Sequence, residues 1–331
     1  MLNWAIVGIG DIAQKRVLAA LDAEPRSRPL AAVTTHPERA RRLCAPYGIE
    51  RFYTGIEEAL ADPDVQAVYV ATPVFLHAPQ SMAAMRAGKH VLCEKPTALS
   101  YAEACRMAET AEQCGVVYGV AFYRPLYPKV RRARQLIQQG AIGQLTLVEA
   151  RYHWWWAPEE GHERHWFIEP EKSGGGPLPD VGSHRIDLLN YLFGPPASVM
   201  AEIGSQFHPY AVEDSATLLM NYSSGMRAVL DVRWNSRVER DELRIIGTGG
   251  QLDLTPGNGP ELVFRSASET RAEHLPPHAN LHYPMIENFV SAVLDGAELV
   301  TSGRRAMQTD RVIEAAYESA HTGRRVAIHH G

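Results

Sequence analysis

Cysteine is scarce in this chain of 331 residues, with four in all, Cys44, Cys93, Cys105 and Cys114. Their spacing fits neither a metal knuckle nor a disulfide framework, and such scarcity suits a reducing compartment. Positive charge is also in short supply. The 33 Lys and Arg stand against 38 Asp and Glu, a formal net charge of -5, whereas a surface that tracks nucleic-acid phosphates is strongly basic. The runs Arg41-Arg42, Arg131-Arg132-Arg134 and Arg304-Arg305 lie among helix-forming residues and read as solvated helix faces. No apolar run is long enough to span a bilayer, and the opening Met-Leu-Asn-Trp lacks the basic region and cleavage site of a secretory signal. The expectation is a cytoplasmic protein that binds neither nucleic acid nor membrane.

What is present is a globular composition, 45% hydrophobic and 21% charged, in a chain long enough for two domains. From residue 4 to about 122, short apolar runs alternate with helical patterns, as in parallel βαβ units. The strands expected are Trp4 to Val7, Leu30 to Thr34, Val65 to Ala71, His90 to Cys93 and Val116 to Ala121, with helices near 11 to 21, 37 to 46, 76 to 87 and 100 to 114. Near-continuous apolar strands such as VQAVYVA suit burial on both sheet faces, so residues 1–122 read as a doubly wound nucleotide-binding domain. Pro125 and Pro128 mark the boundary. Residues 123–331 then read as a second α/β domain. It has a long strand from Gln144 to Trp156, a helix from Asp180 to Phe193, mostly antiparallel strands at hairpin-like intervals, and closing helices near 284 to 295 and 303 to 322.

The segment AIVGIGDIA sets Gly8, Gly10 and Ala13 in a G-x-G-x-x-A turn between the first strand and the first helix. Gly8 allows the tight turn, Gly10 admits a pyrophosphate to the backbone, and the amides of Asp11 and Ile12 open the helix. The second strand ends in Val33-Thr34-Thr35-His36, where NAD-preferring sheets carry an acid for the ribose 2'-hydroxyl. With hydroxyls there and Arg39 nearby, NADP is favoured over NAD. Ala71, Thr72, Pro73 and His77 follow the next strand end and complete the expected cofactor contacts together with Glu94 and Lys95.

Two segments suggest chemistry. AGKHVLCEKP places Glu94, Lys95 and Pro96 just beyond a buried strand, where open α/β sheets bind ligands. A lysine shielded from water there can exchange a proton with a substrate oxygen, and an X-Pro bond can be cis. SGGGPLPDVGSHRIDLLNYLF puts Asp180, His184 and Asp187 at i, i+4 and i+7 on one helix face if the helix begins at Asp180. That face can hold an acid, a base and an orienter. Taken without context, Asp180 reads as a helix N-cap sooner than as a catalytic residue. The D-x-x-x-H-x-x-D pattern can also ligate a metal, but no second cluster completes a site, so no metal is expected.

The runs GIGDIA, VYVATPVFLHAPQSMAAMRAGKHVLCEKP, FYRPLYPKVRRARQLIQQGAIGQL and GGGPLPDVGSHRIDLL occur in this order, and over residues 3 to 328 the chain resembles the glucose-fructose oxidoreductase / inositol dehydrogenase / rhizopine catabolism (Gfo/Idh/MocA) family. The resemblance implies an N-terminal Rossmann domain, a C-terminal α/β domain with a large, mostly antiparallel open-faced sheet, a substrate pocket between them, and a homodimer or homotetramer formed through that sheet. It implies an oxidoreductase that passes hydride between nicotinamide and a hydroxyl or ketone carbon of a sugar, polyol or deoxysugar. The family's catalytic lysine, aspartate and histidine fall on Lys95, Asp180 and His184. Some members end the second strand with small hydroxyl residues and a later arginine, as Thr34 and Arg39 do. Val74 stands where many members have Asn, and Phe167 replaces the Arg of a common Trp-Arg pair at Trp166.

For the substrate, Tyr152, Trp154 and Trp156 share one side of the long strand by alternation, to pack either a sugar or the core. His162, Arg164, His165 and Trp166 lie in the adjoining loop. Arg124 can meet substrate or a carboxylate, and the family's usual tyrosine near this point falls on Tyr283. Two rival functions are an NAD-retaining glycosidase that oxidises its sugar transiently, and a non-catalytic NADP sensor.

Overall fold

A computed structural model describes residues 1–329. The chain divides into two compact units, Met1–Tyr123 with His278–Met307, and Arg124–Pro277 with the described residues from Gln308 onward.

The first unit is built on six parallel strands, β1 (Leu2–Val7), β2 (Ser27–Val33), β3 (Arg51–Tyr53), β4 (Ala67–Val70), β5 (His90–Cys93) and β6 (Tyr118–Val120), in the order β3-β2-β1-β4-β5-β6. The order reverses between β1 and β4, and the crevice at the carboxyl ends there is where such sheets hold ligands. β2 starts earlier than the sequence suggests. It runs through Pro29, which cannot donate to the ladder, and the β1–β2 register shifts between Trp4 and Ala5, beside the Trp4–Pro29 pair. β3 and the helix Ile56–Ala61 were not anticipated, because three residues show no alternation and six span under two turns.

Local signals explain the helices. In Tyr101–Cys114, Ser100 accepts from the Glu103 amide at 3.3 Å while the Glu103 carboxylate accepts from the Leu99 amide at 3.2 Å, and Gly115 closes the helix at φ 64°. Its Ala104, Met107, Ala108 and Ala111 are buried, the spacing of one helix face.

Although residues 123–331 are expected from the sequence to form the second domain alone, His278–Met307 packs with the first unit. Phe289 from the helix Tyr283–Asp295 lies 5.2 Å from the fully buried Trp4. The edge strand β6 is covered by the same return, with Val120 N donating to Thr301 O at 2.9 Å, which removes an exposed sheet edge.

The second unit carries nine strands, β7 (Leu145–Trp155), β8 (Ser198–Gly204), β9 (Ser215–Asn221), β10 (Arg227–Arg233), β11 (Asn235–Gly247), β12 (Gly250–Asp253), β13 (Glu261–Arg265), β14 (Thr270–His274) and β15 (Val326–Ala327). Their order is β14-β13-β12-β11-β7-β10-β9-β8-β15, and only the β7–β10 pair is parallel. Val148, Ala150, Leu218, Leu230, Leu243 and Ile245 are buried, while Leu147, Val229 and Leu219 on the alternate positions are only half-buried. Period-two alternation thus gives the sheet one core face and one more open face.

Candidate active site

In the first unit, Gly8 has φ +92°, and a Cβ there would sit 2.7 Å from the Ala71 carbonyl oxygen. The end of β1 therefore lies directly against the end of β4, an approach only glycine permits. Above Gly10 the space is open, with no atom within 4 Å of a Cβ position. The helix beyond begins with a π turn over Ala13–Val17, and Ala13 is fully buried. A bare backbone beneath open space, followed by a helix start, fits a dinucleotide pyrophosphate.

At the end of β2 the Thr34 hydroxyl accepts from the His36 amide at 3.0 Å. An open cavity of about 490 Å³ is lined by Thr35, His36, Pro37, Glu38, Arg39 and Arg42. Thr35, His36 and Arg39 were expected here; Arg42, read as a plain helix face, joins them. Glu38 lines the same cavity, and its carboxylate lies 3.8 Å from Arg41.

Beyond β4 and β5 the backbone turns are tied together. His77 is buried, with Nδ1 2.9 Å from Pro96 O and Nε2 2.8 Å from Thr72 O, so its ring braces these turns; burial lowers its pKa. The Thr72 hydroxyl donates to Gln80 at 2.7 Å. Lys95 is half-buried and the Lys95-Pro96 bond is cis. Its neighbour Glu94 accepts from the Tyr69 hydroxyl at 2.7 Å and lies 3.2 Å from His282 Nε2. Burial pushes this carboxyl up, but the bonds from His282 and Tyr69 and the charge of Lys95 outweigh it, so it stays below its ordinary value and ionised at neutral pH. Tyr283, half-buried, stacks on His278 at 4.6 Å.

In the second unit the helix start differs from the expectation. A π turn spans Leu178–Gly182 and runs directly into the helix Ser183–Phe193. Asp180 therefore lies within the turn and is not its N-cap; its amide donates to Gly176 O at 3.3 Å. The wider π turn alters the angular spacing between Asp180 and His184, whereas His184 and Asp187 keep the i, i+3 relation of one α-helix face. Asp180 is half-buried, His184 is 7% exposed and Asp187 fully buried.

The aromatic residues of β7 split as alternation requires. Trp154 lies 6.5 Å from Tyr152 and stacks on Trp156 at 5.2 Å, and Trp156 meets His162 edge-on at 5.4 Å. Trp155 meets Phe207 and His208 instead. Trp166 packs edge-on against Phe167 at 4.2 Å, and His165 Nδ1 lies 3.7 Å from Glu169. Arg124 is buried and lines a cavity of about 10 Å³ with Lys129, Arg185 and Asp241, room for at most one water. Arg185 pairs with Asp241 and lies over the Tyr152 ring. Lys129 donates to Leu254 O at 2.7 Å and Pro256 O at 2.5 Å, and burial lowers its pKa to about 8. Among the described residues no group of three or more His, Cys, Asp or Glu could hold a metal.

Residues 2–122 match the model of the oxidoreductase family with an NAD-binding Rossmann fold, and residues 130–253 match the GFO/IDH/MocA C-terminal domain. The chain belongs to the Gfo/Idh/MocA family. It is similar to the 1,5-anhydro-D-fructose reductase of Ensifer adhaerens, at 29% identity over 337 residues covering 100% of both chains. It is also similar to D-xylose 1-dehydrogenase (NADP(+)) 2 of Haloferax volcanii, at 27% identity over 99% of this chain and 100% of the relative. Among solved structures, levoglucosan dehydrogenase in complex with NADH and levoglucosan shares the fold, with a TM-score of 0.92 at 24% identity over 99% of this chain and 100% of that one.

In this Gfo/Idh/MocA oxidoreductase, several polar residues around the expected site escaped the sequence reading. Tyr69 sits within an apolar strand and His282 within a loop, so neither shows a local pattern. Arg185 and Asp241 are 56 residues apart. The three consecutive glycines Gly174, Gly175 and Gly176 did offer a signal, because repeated glycine implies that something occupies the space of a side chain.

Proposed function

We propose that this oxidoreductase transfers hydride between NADP, preferred over NAD, and a hydroxyl or ketone carbon of a sugar or polyol, with Lys95, Asp180 and His184 acting on the one substrate. The observation that carries the reading is the set of strand ends in the first sheet: the Gly8–Gly10 loop after β1 and Lys95 after β5 lie on either side of the switch point marked by β1 and β4. The relatives named above, a reductase and an NADP-linked dehydrogenase of sugars, support the substrate class.

Gly8, its amide bonded to Val33 O, makes the tight turn, Gly10, Asp11 and Ile12 hold the pyrophosphate by backbone amides, and Ala71, Thr72 and Pro73 border the nicotinamide end. Thr34, Thr35, Arg39 and Arg42 hold the 2'-phosphate. When bound, the nicotinamide gives or takes the hydride. Lys95 Nζ donates a proton to the substrate oxygen in reduction and accepts it in oxidation, His184 relays that proton, and Asp180 binds a neighbouring hydroxyl. Arg124, Trp154, His165, Trp166 and Tyr283 are proposed to contact substrate, and the open face of the nine-stranded sheet to join two or four copies.

The test is titration with NADPH and NADH, then a screen of sugars, inositols and keto-sugars with the preferred cofactor. The expected result is net cofactor turnover that Lys95→Met lowers by about 10²- to 10⁴-fold while cofactor affinity is retained. Unchanged turnover in Lys95→Met removes the lysine assignment. Release of a chromogenic aglycone without net cofactor turnover identifies a glycosidase instead.

A further inference from the structure

The glycines before Asp180 record the two residues that press on them, Tyr317 by its side chain and Glu213 chiefly by its backbone. A Cβ on Gly175 would lie 2.0 Å from the Tyr317 hydroxyl oxygen, and one on Gly176 would lie 1.9 Å from the Glu213 carbonyl oxygen and 3.1 Å from its Cδ. Gly176 is closed to any other residue unless the backbone moves, and at Gly175, whose φ is +145°, the Tyr317 side chain would have to give way. The contact is also bonded. Glu213 Oε1 accepts from the Leu178 amide at 3.1 Å and from the Tyr317 hydroxyl at 3.0 Å. Glu213 is 8% exposed, and burial raises its pKa against the pull of the bonds from Gly176, Leu178 and Tyr317. Leu178 is the first residue of the π turn that carries Asp180, and that turn feeds the helix of His184. One acceptor oxygen thus ties three separate parts of the second unit: the residue two before β9, Tyr317 in the last helix, and the segment leading to Asp180.

We propose that Glu213 and Tyr317 are positioning residues that clamp the Gly175–Leu178 backbone and so set the orientation of Asp180 and His184. The proposal deepens the functional reading, because it rests on those two residues acting on substrate. Glu213 works through its acceptor oxygen. A misplacement of about 1 Å in such a constellation costs about 10²-fold in rate, whereas nucleotide binding, which belongs to the first unit, does not depend on the clamp.

The experiment uses the full-length protein with NADPH. Hydrogen–deuterium exchange is followed at the amides of residues 176–184, beside kcat and KM for the substrate found in the screen. Glu213→Leu should exchange at least about tenfold faster there, as expected for losing a buried hydrogen bond, with kcat down about 10²-fold and NADPH affinity unchanged. Tyr317→Phe should shift exchange in the same direction with the fold intact, which keeps the test available if Glu213→Leu does not fold. Glu213→Gln retains the oxygen for Leu178 and Tyr317 and should recover most of the loss. Wild-type exchange in both Glu213→Leu and Tyr317→Phe overturns the clamp, and a Glu213→Gln protein as impaired as Glu213→Leu overturns the acceptor role. Exchange is read without turnover, so failure of the functional reading shows separately, as unchanged turnover in Asp180→Asn.

Discussion

Nε2 of His282 lies 3.2 Å from Oε1 of Glu94, across 188 residues of sequence. Both are buried and both belong to the first unit. The carboxylate beside the proposed catalytic lysine is thus fixed by the segment that returns at the end of the chain, and with Tyr69 it is bonded from two sides. Replacing His282 with Leu should cost about 2 kcal/mol at pH 7, the value of a buried hydrogen bond to a charged group. Because Glu94 is held below its ordinary value in the fold, its contribution is present above the unfolded carboxyl pKa and is lost as pH falls through the folded one. Urea unfolding should therefore show a wild-type–variant gap that narrows on acidification. A gap independent of pH would rule out an ionised Glu94 as the acceptor.

Gly8 and Gly10 are expected to respond differently to the same substitution. Gly8→Ala places a methyl 2.7 Å from the Ala71 oxygen at φ +92°, so it should lower the melting temperature of the free protein, by strain of about 1–2 kcal/mol or more. Gly10→Ala meets nothing within 4 Å and should melt like the wild type alone. It should nonetheless lose the thermal stabilisation that NADPH confers, because the added methyl occupies the approach to the pyrophosphate.

The cavity after β2 is where the proposed preference for NADP can be tested. Arg39→Ala with Arg42→Ala should weaken NADPH by about 10- to 100-fold, the scale of charge-assisted hydrogen bonds, and leave NADH nearly unchanged. Removing Glu38, which lines the same cavity, should tighten NADPH. Fluorescence titration of both cofactors checks this; equal losses for NADPH and NADH would show that the arginines do not read the 2'-phosphate.

Glu213 predicts a pH effect of opposite sign to that of Glu94. Its carboxyl is raised by burial in the fold, so above the unfolded pKa the folded state holds a proton that the unfolded state has released. Stability from this group is full in acid and falls as pH rises toward and through the folded value. Glu213→Gln removes that dependence. Relative to the wild type it should gain stability as pH rises through the interval between the unfolded and folded values, and parallel stability curves would contradict a carboxyl raised by burial.

Much of this architecture was legible in the sequence because hydrophobic periodicity reports burial directly. His90–Cys93 and the long β7 strand show it, as does the helix Gly303–Thr322. The G-x-G-x-x-A turn was readable for a related reason, since Gly8 satisfies a constraint imposed by one neighbouring strand. Less legible were features set by distant partners. The π turn at Asp180 has no propensity signature, and Glu213, which accepts from the first amide of that turn, lies 35 residues beyond Leu178. The pair Glu94–His282 and the burial of Arg124 beside Asp241 likewise depend on tertiary packing, which single-sequence patterns do not encode.

The chain passes from one unit to the other three times, after Tyr123, Pro277 and Met307, and this bears on how the protein can be divided. A gene fragment ending at Tyr123 would contain the entire six-stranded sheet yet omit Phe289 from Trp4, His282 from Glu94 and Thr301 from the edge of β6. Expressed alone, it would present an uncovered indole, a half-bonded internal carboxylate and an open strand, three invitations to aggregation. A self-standing nucleotide-binding piece needs residues 278–307 grafted back on, and domain exchange among relatives has to carry both segments together.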